Sequence, residues 1–277
     1  MSIALVGVGY RYAGETRPAL LDVDLELRNG EVLGVTGRSE AGKSTLCLVV
    51  SGLAPRTIGG RIRGSIAVDG ERVDDWPLHR LAEHVGIGFQ NPATQLSQVA
   101  ATVFEEVAFG PMNLGLPRDE VVHRTWEALA ALRIDDLAER DPRRLSGGQQ
   151  QLVAIAGLLT MRPRHLVLDE PTAQLDPAGT RLVAAALSQL VAAGASILVT
   201  EHKTDLLADL CSRVVVLDRG RVALDGPAAD VLADPTLEAL GVAAPAAVRL
   251  DRATQRAGVP ASLRSRLAAA VAVAVSP

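Results

Sequence analysis

Apolar and polar positions along the chain switch repeatedly between two periods. Short runs of β-branched and apolar residues at Ile3–Val8, Val32–Thr36, Ser65–Val68, Val85–Phe89, His165–Asp169, Ser196–Thr200 and Arg213–Asp218 predict strands. Between them, Lys43–Ser51, Arg118–Leu132, Gly148–Thr160, Gly179–Ala192 and Lys203–Leu210 carry helical spacing. Strands that alternate with helices through the second half predict a parallel sheet covered on both faces. Near the N-terminus, Leu21–Leu27 and Ser65–Val73 stand beside turn signals and predict antiparallel hairpins. The expected fold is therefore α/β, with an N-terminal antiparallel β-subdomain and a mostly helical stretch over about residues 91–158.

The longest apolar candidate, Leu182–Val199, is interrupted by Ser188, Gln189, Gly194 and Ser196. That pattern predicts a helix followed by a buried strand rather than a membrane span. Beyond Leu240 the character changes. Residues 241–277 are rich in Ala, Val and Arg, with Pro245 and Pro260 as breakers, and predict a small helical extension. Its tail, Leu267–Ser276, is too short to cross a bilayer. The chain is thus expected to be soluble, with any membrane association made through a protein partner.

Composition alters this picture in a few places. A chain of 277 residues buries a full core, and with aromatics at 3 % that core must be built from Ala, Val, Leu and Ile. The net charge of −4 and the absence of a Lys/Arg block argue against a nucleic-acid partner. Cys47 and Cys211 each sit in an apolar stretch and predict buried free thiols in a reducing cytoplasm. The N-terminus has no basic region followed by an apolar core and a cleavage site, so no signal peptide is expected.

Three stretches carry chemistry. In the first, Gly37, Arg38, Ser39, Glu40, Ala41, Gly42, Lys43, Ser44 and Thr45 match the phosphate-binding loop, two glycines flanking four residues and then Lys and Ser/Thr. A predicted strand precedes it and a helix follows. Backbone N–H groups must converge on phosphate, and the helix N-terminus adds partial positive charge. Lys43 is expected to reach the β- and γ-phosphates of ATP, and the Ser44 hydroxyl to coordinate Mg²⁺. Glu40 is unexpected beside a polyphosphate; its side chain should point outward while its N–H serves the cradle.

In the second, the apolar run His165–Leu168 ends in Asp169 and Glu170, two acids at the carboxyl edge of the sheet. Asp169 is placed to hold Mg²⁺, and Glu170 to orient and deprotonate an attacking water. In the third, Leu145, Ser146, Gly147, Gly148 and Gln149 form a Gly-Gly turn opening a helix, a second N-terminal anion site. One nucleotide has little use for two such cradles from one chain. Two subunits sandwiching it would use both.

The order of these stretches, with Gln90, Asp176 and His202, resembles the ATPase subunit of ATP-binding-cassette (ABC) proteins over about residues 2–240. LSGGQ is the most specific element of the likeness. The resemblance implies a P-loop NTPase core with a mixed β-sheet, a nucleotide-binding domain over residues 1–240 and an extension over 241–277. It also implies head-to-tail pairing of two such domains. By the same resemblance Tyr12 stacks on adenine, and Gln90 senses the γ-phosphate and Mg²⁺. Ser146, Gly147 and Gly148 touch the γ-phosphate of the opposite subunit, with Gln149 beside them. Asp176 bridges the two sites, and His202 contacts the γ-phosphate and holds the water with Glu170. The remaining histidines, His79, His84, His123 and His165, show no ligand spacing and read as structural.

A finer likeness concerns the run from Gly88 to Pro117, which is similar to the segment after the glutamine loop in energy-coupling-factor (ECF) transporter ATPases. AIAGLL after the signature, TEHK at the histidine and the extension after Leu240 are also similar to that group. This implies an importer of a vitamin or transition-metal ion. Its partners would be a second ATPase subunit (a second copy or a paralogue), a transmembrane coupling protein and a substrate-binding membrane protein. The chain would be peripheral, at the cytoplasmic face of the cell membrane. The alternatives are a conventional ABC transporter ATPase and a cytosolic ABC protein working on ribosomes or DNA.

Overall fold

In the computed structural model the described residues are 2–260, 262–264, 266, 267, 270 and 271. The remainder of the predicted 241–277 extension lies outside them. In chain order the elements are β1 (Ile3–Arg11), β2 (Leu20–Leu27), β3 (Val32–Thr36), α1 (Lys43–Val50), the short turn α2 (Leu53–Arg56), β4 (Arg61–Val68), β5 (Glu71–Arg72), α3 (Leu78–Ala82) and β6 (Val85–Gly88). Then follow α4 (Val103–Asn113), α5 (Arg118–Ala131), α6 (Gly147–Met161), β7 (His165–Asp169), α7 (Pro177–Ala192), β8 (Ser196–Thr200), α8 (Thr204–Leu210), β9 (Arg213–Asp218), β10 (Arg221–Pro227), α9 (Ala228–Leu232) and α10 (Ala246–Arg256).

Two sheets form. The first is antiparallel, in the order β2-β1-β4-β5, with Leu5 opposite Leu25 on one side and Ile66 on the other. The second runs β10-β9-β3-β8-β7-β6 and is parallel except for the β9–β10 hairpin. It is the mixed sheet that the family resemblance implies, and its parallel part is the one the alternating pattern predicts. Successive residues of a strand face opposite sides, and a parallel strand buried on both faces reads as an unbroken apolar run. Leu166 and Leu168 accordingly join a core shared with α4–α7, while Val167 between them joins a core shared with α1 and the antiparallel sheet. Ile197 and Val199 divide from Leu198 in the same way.

All seven predicted strands occur, four of them with the predicted bounds. The hairpin strand β10 and the helix α4 were not resolved as elements by the hydrophobic pattern. α10 occupies part of the predicted helical extension and buries none of its residues. Among the described residues no helix is long and apolar enough to cross a membrane. Cys47 and Cys211 are free and buried, and burial pushes both thiols up, Cys211 to about 12.

The order of the parallel strands places the chemistry. β8 lies between β3 and β7, with Thr200 opposite both Val35 and Asp169. The phosphate loop after β3, the acids ending β7 and the histidine after β8 therefore leave the same sheet edge from neighbouring strands.

Candidate active site

β3 ends at Thr36 and α1 begins at Lys43, so the phosphate loop spans one strand end and one helix N-terminus. The turn into α1 is made by Gly42 at φ 109°, where a Cβ would come 2.8 Å from the Ala19 carbonyl oxygen. No side chain caps this helix. Its first N–H groups are left for a ligand, which is what an anion cradle requires. Lys43 is buried, and its Nζ donates to the carbonyls of Gly37 at 3.0 Å and Arg38 at 3.3 Å. Burial pushes its ammonium below the ordinary lysine value, against the pull of Glu170 and Asp169.

Across from the loop, Asp169 is buried and its Oδ1 accepts from Thr200 Oγ1 at 2.7 Å. Glu170 is turned off the strand by a left-handed φ of 47°, pinned by its N–H donating to the Thr200 carbonyl and hydroxyl, both at 3.1 Å. Its carboxylate takes Gln90 Nε2 at 2.8 Å on one oxygen and faces His202 Nε2 at 3.1 Å with the other. His202 Nε2 also lies 3.1 Å from Lys43 Nζ. One ring nitrogen either donates to Glu170 or accepts from Lys43, never both. The imidazole therefore sits at a branch point between the lysine and the carboxylate.

Ala19, Ser39, Glu40, Gly42, Lys43, Ser44, Thr45, Gln90, Glu170 and His202 line one cavity of about 450 Å³. Arg38 stands at its outer side in an ion pair with Asp218 at 3.4 Å, and Ala41 is buried beneath the loop. Ser44, Asp169 and Gln90 offer a hydroxyl, a carboxylate and, with Nε2 turned to Glu170, a free amide oxygen. An all-oxygen set fits a hard cation such as Mg²⁺, which takes only one or two protein carboxylates beside phosphates and water.

Other predicted residues lie elsewhere. Tyr12 borders a separate cavity of about 430 Å³ with Arg11, Gly14 and Arg61. Its ring stands edge-on to Tyr10 at 4.9 Å, and its hydroxyl shares a 3.0 Å hydrogen bond with Thr45 Oγ1. Ser146, Gly147, Gly148 and Gln149 are absent from the lining of the phosphate cavity. Ser146 caps α6 in a reciprocal box with Gln149, at 3.0 and 3.3 Å. Gly147 is packed so closely on Gln174 that a Cβ there would come 2.5 Å from its Oε1. Asp176 caps α7 through the N–H of Gly179 at 2.7 Å. Thr200, which holds both acids, and Thr172 and Glu201, described below, were missed by sequence reasoning. Only the threonine ending an apolar run, at the level of the acids, was a readable signal.

The chain is similar to known proteins over most of its length. Residues 20–173 match the family model described as ABC transporter. The chain is 43 % identical over 257 residues to the cobalt import ATP-binding protein CbiO of Rhodobacter capsulatus, covering 92 % of this chain and 89 % of that protein. It is 38 % identical over 258 residues to the energy-coupling factor transporter ATP-binding protein EcfA of Methanosarcina acetivorans, covering 93 % and 91 %. The solved structure of CbiO1 from Clostridium perfringens, part of the ABC transporter complex CbiONQ, superposes with a TM-score of 0.73. It is 34 % identical, over 84 % of this chain and 90 % of that one. A family match over more than half the chain, joined to relatives aligned nearly end to end, carries the assignment. This chain belongs to the ABC transporter family, as a subunit that binds and hydrolyses ATP.

Proposed function

We propose that this chain powers an ECF-type importer of a vitamin or transition-metal ion from the cytoplasmic face of the membrane, as a peripheral subunit. Residues 1–240 act as the nucleotide-binding domain and residues 241–277 as an extension. The observation that carries the reading is the bond from Gln90 to Glu170 at 2.8 Å, which ties the carboxylate to a segment built for docking. After Gln90, that segment is sewn to the helical layer. Gln95 donates to the Ala154 carbonyl of α6 at 3.3 Å, and Ser97 gives two hydrogen bonds to Glu106 of α4, at 2.6 and 2.7 Å. Its outer surface and α4 then expose Val99, Phe109, Met112 and Leu114 to water. Large apolar side chains exposed along one stretch of chain, residues 99–114, fit a partner surface, here for a transmembrane coupling protein. The likeness to EcfA and to a cobalt import protein supports the ECF class within that reading.

In the proposed reaction the N–H groups of residues 38–45 and Lys43 hold the β- and γ-phosphates, with Tyr12 against the adenine. Bound at Ser44, Gln90 and Asp169, Mg²⁺ would neutralise charge on the phosphate oxygens. Glu170 takes a proton from the attacking water as the new oxygen–phosphorus bond forms and the bond to ADP breaks. His202 holds the γ-phosphate beside it. Ser146, Gly147 and Gly148 of a second subunit close the site, and Asp176 lies between the two halves.

The test has two arms. Glu170→Gln, which keeps size but loses the base, should bind ATP and cut hydrolysis by about 100-fold or more; Lys43→Ala should weaken binding itself. Hydrolysis at the parental rate in Glu170→Gln would remove Glu170 from the role of base. In membranes the tagged chain should co-purify with a multi-helix coupling protein and a small substrate-binding membrane protein. Co-purification with ribosomes instead would end the transporter reading.

A further inference from the structure

The residues that leave β8 reach more of the site than the reaction above uses. Thr200 holds Asp169 and Glu170, and the Glu201 N–H donates to the Val35 carbonyl of the phosphate-loop strand at 3.1 Å. The Glu201 side chain turns inward: the residue is 2 % exposed, and its Oε1 accepts from Thr172 Oγ1 at 2.6 Å and from Thr172 N–H at 3.1 Å. Next along, Lys203 Nζ donates to the Thr172 carbonyl at 2.8 Å. Thr172 is itself 1 % exposed, so hydroxyl, N–H and carbonyl of one buried residue are all taken by this strand end.

The grip is costly, which makes it informative. Burial pushes the Glu201 carboxyl above its ordinary value, against the two hydrogen bonds from Thr172. An apolar side chain would fill the same space without desolvating a charge. Of the chain's 28 Lys and Arg residues only Lys43 and Lys203 are lysines; the first gives its ammonium to carbonyls of the phosphate loop and the second to the carbonyl of Thr172. Thr172 stands in the loop that begins at Glu170 and ends at Asp176, the cap of α7. Within that loop Leu175 N–H returns to the Thr172 carbonyl at 3.2 Å, and Gln174 lies against Gly147 at the start of α6.

We propose that Glu201, with Lys203, is a positioning residue that clamps Thr172 and so fixes the Glu170–Asp176 loop relative to His202, setting the rate of hydrolysis and not the affinity for ATP. Neither Glu201 nor Thr172 lines the nucleotide cavity, so nucleotide binding has no direct call on them. Displacing the loop shifts Glu170, its first residue, relative to His202, and misplacement by about 1 Å costs up to about 100-fold in rate. The proposal rests on Glu170 and His202 having the roles given above, which the Glu170→Gln measurement tests separately.

The experiment measures kcat, the ATP dissociation constant with a fluorescent ATP analogue and ATP competition, and the melting temperature of the full chain. Thr172→Ala removes the hydroxyl contact together with one buried methyl and should lower kcat by about fivefold, and Glu201→Ala by about tenfold or more, with ATP affinity within about twofold of the parent in both. Thr172→Ser should restore kcat to within about twofold, a rescue that a general loss of packing would not predict. The double variant should be no slower than Glu201→Ala alone, since the two act through one contact. Parental kcat in Thr172→Ala with an unchanged melting temperature would overturn the proposal. So would losses that multiply in the double variant, or an effect confined to ATP affinity. If Glu201→Ala does not fold, the Thr172→Ala and Thr172→Ser pair decides alone.

Discussion

Glu40 holds a left-handed backbone, φ 63°, within the phosphate loop, and its exposed side chain stands at the mouth of the nucleotide cavity. For a residue with a Cβ that conformation carries strain, and glycine removes it. The acid adds a second cost, because a triphosphate must approach a carboxylate. Glu40→Gly should therefore bind ATP more tightly, by about threefold to tenfold, and Glu40→Gln, which keeps the strain and loses the charge, by less. Titration with a fluorescent nucleotide at low and high salt separates the two terms, since only the charge term is screened. A Glu40→Gly affinity equal to or weaker than the parent's would mean that the loop uses this carboxylate. At the same scale, Lys43 and Glu170 show why a motif is readable: each must meet the same phosphates, so residue type and neighbours are tightly constrained. Thr172 and Glu201 meet each other across 29 positions, and nothing in either local run announces the pairing.

Between elements, the two sheets share an apolar core, and one part-buried polar pair also joins them. Asp69, in the turn from β4 to β5, accepts from the Ser2 N–H at 3.1 Å and meets His165 Nε2, on the first residue of β7, at 3.0 Å. His84 Nδ1 and Arg164 face the other carboxylate oxygen at 3.9 and 3.5 Å. Burial pushes the His165 imidazole below its ordinary value, with Asp69 pulling it back only in part. Burial would raise the Asp69 carboxyl, but the hydrogen bond from His165 and the other donors hold it below its ordinary range. In both cases the unfolded chain binds the proton more readily than the folded one. Stability is therefore complete above the ordinary imidazole value of about 6.5, falls as pH drops through it, and falls again below about 4. His165→Gln, which keeps a donor for Asp69 without a titrating ring, should lose about 2–4 °C less melting temperature between pH 7.5 and 5.5 than the parent. Equal slopes in the two proteins would place the acid sensitivity elsewhere. His165 was legible only as a structural histidine; its partner was not, because the contact spans two sheets. β3, β7, β8 and β9 were legible to the residue because strands buried on both faces read as closed apolar runs. β10 was not, since an edge strand with every other residue exposed carries a weak signal. α4 was obscured by Gly110 and Pro111 within it, although its reciprocal cap, Thr102 with Glu105, stood in the sequence to be read.

At the scale of the whole molecule the question is what completes the site. The phosphate cavity is lined by the loop, Gln90, Glu170 and His202, while the capped start of α6, with its N–H groups, faces elsewhere. If two copies pair head to tail, each cavity is closed by the other's α6, and damage to the two half-sites should complement. Lys43→Ala ruins the cavity of its own chain, and Ser146→Arg ruins the cavity of the chain opposite. Each variant alone should hydrolyse almost no ATP. A mixed dimer keeps one intact site, formed from the Lys43 of the Ser146→Arg chain and the Ser146 of the Lys43→Ala chain. With half the dimers mixed and one site of two intact in each, an equal mixture should recover about a quarter of the parental rate. The recovery should follow the product of the two concentrations as the ratio is varied, which contamination by parental protein would not do. Absence of recovery at every ratio, with both variants folded, would sink pairing between two copies of this chain and leave a paralogue as the subunit that closes the site.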